Sequence, residues 1–261
     1  MIPAERSSTV IVVVILREVS IPARVTNCQG AGASPKVDRQ GYADFVADQD
    51  LADAFSLAIA TNDQRLLPPS YNVAPMQRVR VIRSAEGAAT IDIAKWGLVP
   101  SWAKDPAIGS RMINARVETV AEKPSFRTAF ARRRCIVPAS GYFEWKTDAS
   151  GKRSFYIHPT DGSPLAFAGL AEAWRATGDD DWLITCAIVT TAARGEMQQI
   201  HDRQPVMMRD DAWRTWLDPA SAKDDLLDAA HADAPELAWH KVGKAVGNVR
   251  NNSPELVEPA R

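Results

Sequence analysis

The chain has 261 residues, 46% hydrophobic and 24% charged, with a formal net charge of −1. That composition supplies a core and excludes disorder throughout, and the balanced charge excludes a bulk attraction to nucleic acid or membrane, so any charge argument is local. Three cysteines (Cys28, Cys135, Cys186) without a CxxC, and four histidines without an HxH or HxxxH pair, argue against a disulfide framework or a structural zinc site, and no metal or organic cofactor is implied.

The longest unbroken apolar run covers residues 10–16, whereas a membrane span needs ~20 residues; the expected compartment is the cytoplasm. Residues 9–19 read as a strand and 26–39 as a loose Gly/Ser/Pro-rich stretch. Residues 1–41 are therefore expected to be an atypical extension, disordered or an artefact of the gene model. From Tyr42 to Thr61 the spacing of Phe45, Leu51, Phe55 and Ile59 predicts an amphipathic helix with an acidic face, after at most a short strand. Residues 68–75 read as rigid and irregular. Residues 79–82 and 89–96 flank a turn signal at 84–87 and predict a hairpin. Further strands are predicted at 134–138, 141–146, 154–158, 165–170, 182–190 and 239–242. Helices are predicted at 193–200, 210–216 and 224–230. Many strands without βαβ alternation predict an α+β fold with a curved antiparallel or mixed sheet and peripheral helices, in one domain over residues 42–259.

Charge is uneven along the chain. Residues 110–138 hold seven bases against two acids, 240–252 three bases and no acid, and 210–236 eight acids against two bases. The two basic stretches either line one groove or are blocks on a solvated surface.

Four segments carry candidate chemistry. In WGLVPSW (96–102) a Gly/Pro turn can project an indole able to stack on a base, with Trp96 expected to be buried. In INARVET (113–119) Asn114, Arg116 and Glu118 share one face if the segment is extended; a polar edge strand is the plainer reading. In GYFEWK (141–146) Glu144 stands among three aromatics, which would disfavour its charged form and suit a general acid; the alternative is a solvent-facing carboxylate paired with a lysine. In IHDRQPV (200–206) His201 is suited to proton transfer near neutrality, or is a capping or core histidine.

Taken in order, YNVAP (71–75), WGLVPSWA (96–103), INARVET (113–119), CIVPASGYFEWK (135–146), IHDRQPV (200–206) and AVGNVRNNSPEL (245–256) resemble the SRAP (SOS response-associated peptidase) family of abasic-site processing proteins. The resemblance implies a single α+β domain with a barrel-like core and a basic groove for single-stranded DNA. It implies covalent capture of abasic sites, in which the amine and thiol of a cysteine after the initiator Met close a thiazolidine on the sugar aldehyde. Glu144 would promote proton transfer, His201 would handle protons at ring opening and crosslink reversal, and Asn114 would hold the reacting group. Arg116 would contact phosphate and Trp102 would stack at a kink in the strand, with Asn72 and Arg134 also on the DNA. The partner is single-stranded DNA carrying abasic sites, with no membrane, and the protein is expected to be a monomer.

One departure bears on the chemistry. Counting back from Tyr42, the family's Met-Cys-Gly-Arg start would put its cysteine at Arg39, with Gln40 and Gly41 in place of Gly and Arg. Either the first 41 residues replace a true start or the chain is a pseudoenzyme that binds damaged strands without crosslinking. A separate reading is a thiol hydrolase built on Cys135 or Cys186 with His201.

Overall fold

A computed structural model describes residues 40–55, 57, 67–85, 88–149, 151–178, 181–209 and 212–260. The strand expected at 9–19, the loose stretch 26–39 and Cys28 lie outside the described residues. In chain order the elements begin with β1 (Gly41–Asp44), α1 (Asp48–Phe55), β2 (Ser70–Val73), β3 (Arg78–Ala85) and β4 (Ala88–Trp96). Then come β5 (Asn114–Arg116), α2 (Arg127–Arg132), β6 (Arg134–Ala139), β7 (Gly141–Asp148) and β8 (Gly151–Pro159). The last are β9 (Leu165–Trp174), β10 (Leu183–Ala192), β11 (Arg203–Pro205), β12 (Met207–Met208), α3 (Ala212–Leu217), α4 (Lys223–His231) and β13 (Leu237–Val242).

Five strands close into a barrel in the order β10-β4-β3-β6-β9, with β9 pairing back onto β10. The β4–β10 pair is parallel and the others are antiparallel. Short strands extend it, with β5 and β11 on β10 and β12 on β9. A second, fully antiparallel sheet runs β13-β8-β7-β1-β2.

The period of two in the barrel strands sorts their side chains into two cores. From β6, Ile136 joins a cluster with Phe130 of α2, Trp213 and Trp216 of α3, and Leu226 of α4. Its neighbours Cys135 and Val137 join the opposite cluster, with Phe167, Cys186 and Ile188 and with Tyr42, Tyr142 and Ile157 of the second sheet. Both faces of β6 are covered, which is why it reads as a continuous apolar run rather than an alternating one. Behind the second sheet, Ala43, Phe143 and Tyr156 pack on Val246 and Leu256 near the C-terminus.

The sequence pattern located most strands, and three differences have identifiable causes. The helix expected over 42–61 begins only at Asp48, because Tyr42 and Ala43 pair with Tyr142 and Gly141 of β7. Residues 70–73 form an edge strand rather than an irregular segment, since an edge position tolerates the flanking prolines. The helix expected at 193–200 is a 3₁₀ turn over Gly195–Gln199. A buried guanidinium ties the two sheets at the start of the domain. Arg80 of β3 forks onto both carboxylate oxygens of Asp44 and also donates to Asp48 Oδ1 (2.7 Å) and the Val46 carbonyl (2.9 Å). No helix among the described residues is long and apolar enough to cross a membrane.

Candidate active site

A cavity of about 30 Å³ lies where the chain enters β1, lined by Gln40, Tyr42, Asn114, Tyr142, Glu144, Thr190 and Arg203 among others. Each strand delivers its residues for a reason. Alternation along β7 puts Tyr142 and Glu144 on one face, and the β1–β7 register sets Tyr42 opposite Tyr142. Parallel pairing of β5 with β10 brings Asn114 against Ile188, and antiparallel pairing of β11 with β10 sets Gln204 opposite Thr191. Glu144 is only 7% exposed, as its aromatic neighbours led us to expect. The Asn114 amide donates to Gln40 Oε1, so the residue just ahead of β1 holds the asparagine.

Arg203 forms the polar wall. Its guanidinium meets both oxygens of Glu118 at 2.7 and 3.0 Å and also donates to the Thr190 carbonyl at 2.7 Å. This bidentate fork holds the Glu118 carboxyl below the usual carboxylate range. Segment 113–119 is extended only through Arg116, after which the chain turns, so Glu118 reaches Arg203 from a turn rather than from a strand face.

His201 follows the 3₁₀ turn and is about one-third exposed. It is not on the cavity lining; Arg203, two residues on, is. His201 Nδ1 lies 3.0 Å from the Arg203 backbone nitrogen and 3.1 Å from the Arg203 carbonyl oxygen, so it accepts from the first in one tautomer and donates to the second in the other. Asp202 Oδ1 stands 3.2 Å from the same Nδ1. Thus Glu144 and Asn114 share the cavity, and His201 stands apart from it.

The loop after β4 separates its two indoles. Trp96 is buried and donates to the Ile113 carbonyl at 2.9 Å, whereas Trp102 is 60% exposed. Gly97 makes this possible: its φ is +138°, and a Cβ there would meet the Gly109 carbonyl oxygen and Met76 Sδ at 2.8 Å. The far end of the loop is pinned by Trp174, whose indole N–H donates to the Ala103 carbonyl at 2.7 Å. Arg116 is exposed.

Two residues expected on the DNA, Arg134 and Asn72, are buried and hydrogen-bonded within the fold. The buried Arg134 guanidinium donates to the carbonyls of Trp216, Phe130, Ala131 and Asp218 at 2.6–2.9 Å, which engages four of its five N–H groups inside the fold. The buried Asn72 amide donates to the carbonyls of Val246, Asn248 and Asn251 at 3.1–3.2 Å and holds the C-terminal loop. Of the seven bases in 110–138, Arg133 pairs with Glu172 at 2.7 Å, while Arg111, Arg116, Lys123, Arg127 and Arg132 are exposed.

The thiol-hydrolase reading loses its nucleophile. Cys135 and Cys186 are fully buried and neither lines the cavity. Burial pushes the Cys135 thiol up to about 12 and raises that of Cys186 as well, so both stay protonated and inert. Sequence reasoning missed Gln40, Tyr142 and Arg203 as cavity residues. The last two lie inside motifs already singled out for Glu144 and His201, and only the strand register reveals that they face the same space.

The comparisons with known proteins agree with this architecture. A structure from Bacteroides thetaiotaomicron superposes with a TM-score of 0.74 over 86% of this chain and all of its own length, at 23% identity, which speaks for the fold. A phage-related protein from Bordetella bronchiseptica superposes with a TM-score of 0.61 at 30% identity, covering 78% of this chain and 93% of that one. The abasic site processing protein YoqW of Bacillus subtilis is 42% identical over 193 residues, 73% of this chain and 86% of its own. The abasic site processing protein YedK of Escherichia coli is 35% identical over 192 residues, covering 72% and 84%. The family model for SOS response associated peptidase (SRAP) matches residues 41–249, and the chain belongs to that family.

Proposed function

We propose that this protein recognises abasic sites in single-stranded DNA, through a functional unit spanning residues 42–259 that acts as a cytoplasmic monomer. The observation that carries this reading is the meeting of Glu144 and Asn114 in one cavity at the start of β1. The relatives YoqW and YedK are abasic site processing proteins.

In this reading Glu144 moves the proton at the sugar, Asn114 holds the reacting group, and His201 serves ring opening from beside the cavity. Trp102 stacks on a base flanking the lesion, and Arg116 contacts a phosphate. The covalent step of the family needs a free α-amine beside a thiol. The amine adds to the sugar aldehyde with loss of water, and the thiol then adds across the imine. In this chain Arg39 stands at the counted position of that cysteine, and Gln40 occupies the Asn114 amide. The chain as it stands therefore binds the lesion without crosslinking.

The test is a denaturing gel. The chain is mixed with a single-stranded oligonucleotide carrying one abasic site, beside a variant in which residues 1–41 are replaced by Met-Cys-Gly-Arg. A shifted band from the replacement alone is the expected result. A shifted band from neither, with no retardation on a native gel, would overturn the reading.

A further inference from the structure

Tyr142 is 3% exposed, and its hydroxyl has no hydrogen-bond partner among the described residues. A buried hydroxyl left unpaired bears the full cost of its lost hydration, and native folds leave few such groups, often at functional sites. Tyr142 shares a face of β7 with Glu144. Both line the cavity, and the Glu144 carboxylate is close enough to act on the phenol. Burial and that negative charge keep the phenol protonated, which makes it an O–H donor lacking an acceptor. The cavity of about 30 Å³ has room for an atom or two of water size.

A second phenol supplies an internal control. Tyr42 is the cross-strand neighbour of Tyr142, and both rings pack edge-on against Phe167, at centroid distances of 6.2 and 5.9 Å. Its hydroxyl is also buried and unpartnered. The charges that act on it come from Asp44, Arg80 and the two buried thiols rather than from Glu144. Both tyrosines are buried and line the cavity, but only Tyr142 shares the β7 face with Glu144, so the pair asks which of two hydroxyls of one cavity reads the lesion.

Resting on the reading of this cavity as the receptor for an abasic sugar, we propose that the Tyr142 hydroxyl is a lesion-reading subsite that donates to the C1 oxygen of the deoxyribose. That oxygen stands where the base has been lost, as a hydroxyl in the closed sugar and as the aldehyde oxygen in the open one. An intact nucleotide has a base nitrogen there instead, which offers the phenol no oxygen to donate to. Tyr142 thereby makes the presence of an oxygen at C1 part of what is recognised, next to the carboxylate that handles protons.

The experiment measures equilibrium binding of the full chain to three single-stranded oligonucleotides by fluorescence anisotropy. They differ at one position: a borohydride-reduced abasic site that keeps a C1 hydroxyl, a tetrahydrofuran site without one, and an intact nucleotide. The expected result is a preference of about three- to tenfold for the reduced site over tetrahydrofuran, the range of one neutral hydrogen bond. Tyr142→Phe removes that preference and leaves affinity for the tetrahydrofuran strand unchanged, while Tyr42→Phe retains it. Both variants melt no lower than the parent, because each deletes an unsatisfied hydroxyl. A preference that survives Tyr142→Phe, or that both variants lose alike, overturns the subsite. Equal affinity of the parent for the two lesions also overturns it, yet leaves the abasic-site reading standing if both outrank the intact strand. Equal affinity for all three strands overturns that reading itself.

Discussion

Two sets of buried polar side chains behave in opposite ways in this fold. Arg134 and Asn72 sit in well-packed surroundings with their donors spent on backbone carbonyls. Tyr142 sits as deep, and its hydroxyl has no partner among the described residues. Burial alone does not separate a staple from a site. What separates them is whether hydrogen-bonding capacity is used up inside the chain, since a saturated group holds structure together and an unsaturated one has something left for a ligand.

The sharpest way to break this contrast is to remove a staple. Arg134→Met keeps the apolar stem and strands four carbonyls, and the expected loss is about 3–5 kcal/mol of stability. Asn72→Ala strands three carbonyls around the C-terminal loop and should cost about 1–3 kcal/mol. Urea titration of the two variants checks both figures. If Arg134→Met kept the parent midpoint and lost affinity for DNA, Arg134 would belong with the site after all.

The sequence made the strands legible because their period of two and their hairpin signals are local. The hairpin around 84–87 and the run 134–139 follow directly from such patterns. It also made Glu144 and Asn114 legible as candidates, because a carboxylate among aromatics and an amide beside a guanidinium are costly to bury without purpose. What stayed hidden depends on long-range register. Nothing local says that Gln40 reaches Asn114, 74 residues away, or that Arg203 forks onto Glu118, 85 residues away. The same holds for Arg134: nothing local says that a base in a basic stretch is buried against the carbonyls of Phe130, Ala131, Trp216 and Asp218.

Exposed groups test the other side of the contrast. Trp102→Ala removes a stacking surface that packs on little else, so stability should hold while single-strand affinity falls by about 1–3 kcal/mol per base stacked. Arg116→Ala should reduce the slope of log affinity against log salt by about 0.7, the value for one phosphate contact on a single strand. Anisotropy titrations at several salt concentrations read both effects. Unchanged affinity in Trp102→Ala together with an unchanged slope in Arg116→Ala would move the strand to another face of the molecule.

Arg203 falls between the two sets, and acid should reveal which it resembles. Its fork onto Glu118 lowers that carboxyl, so the unfolded chain takes up the proton first as pH falls. The pair's contribution is therefore complete above the unfolded carboxylate pKa of about 4.3 and disappears as pH drops through the lower folded value. Glu118 is nearly half exposed, so solvent screening keeps the stability at stake below about 1 kcal/mol. Melting temperatures followed into that acid range should fall slightly faster for the parent than for Glu118→Gln, which lacks the titrating group. Parallel curves would mean that the fork contributes nothing and that Arg203 is held by Thr190 alone. A small difference is the informative result, because an arginine whose partner is a surface carboxylate can exchange it for a phosphate at little cost. Arg134, enclosed by carbonyls of the fold, has no such exchange open to it.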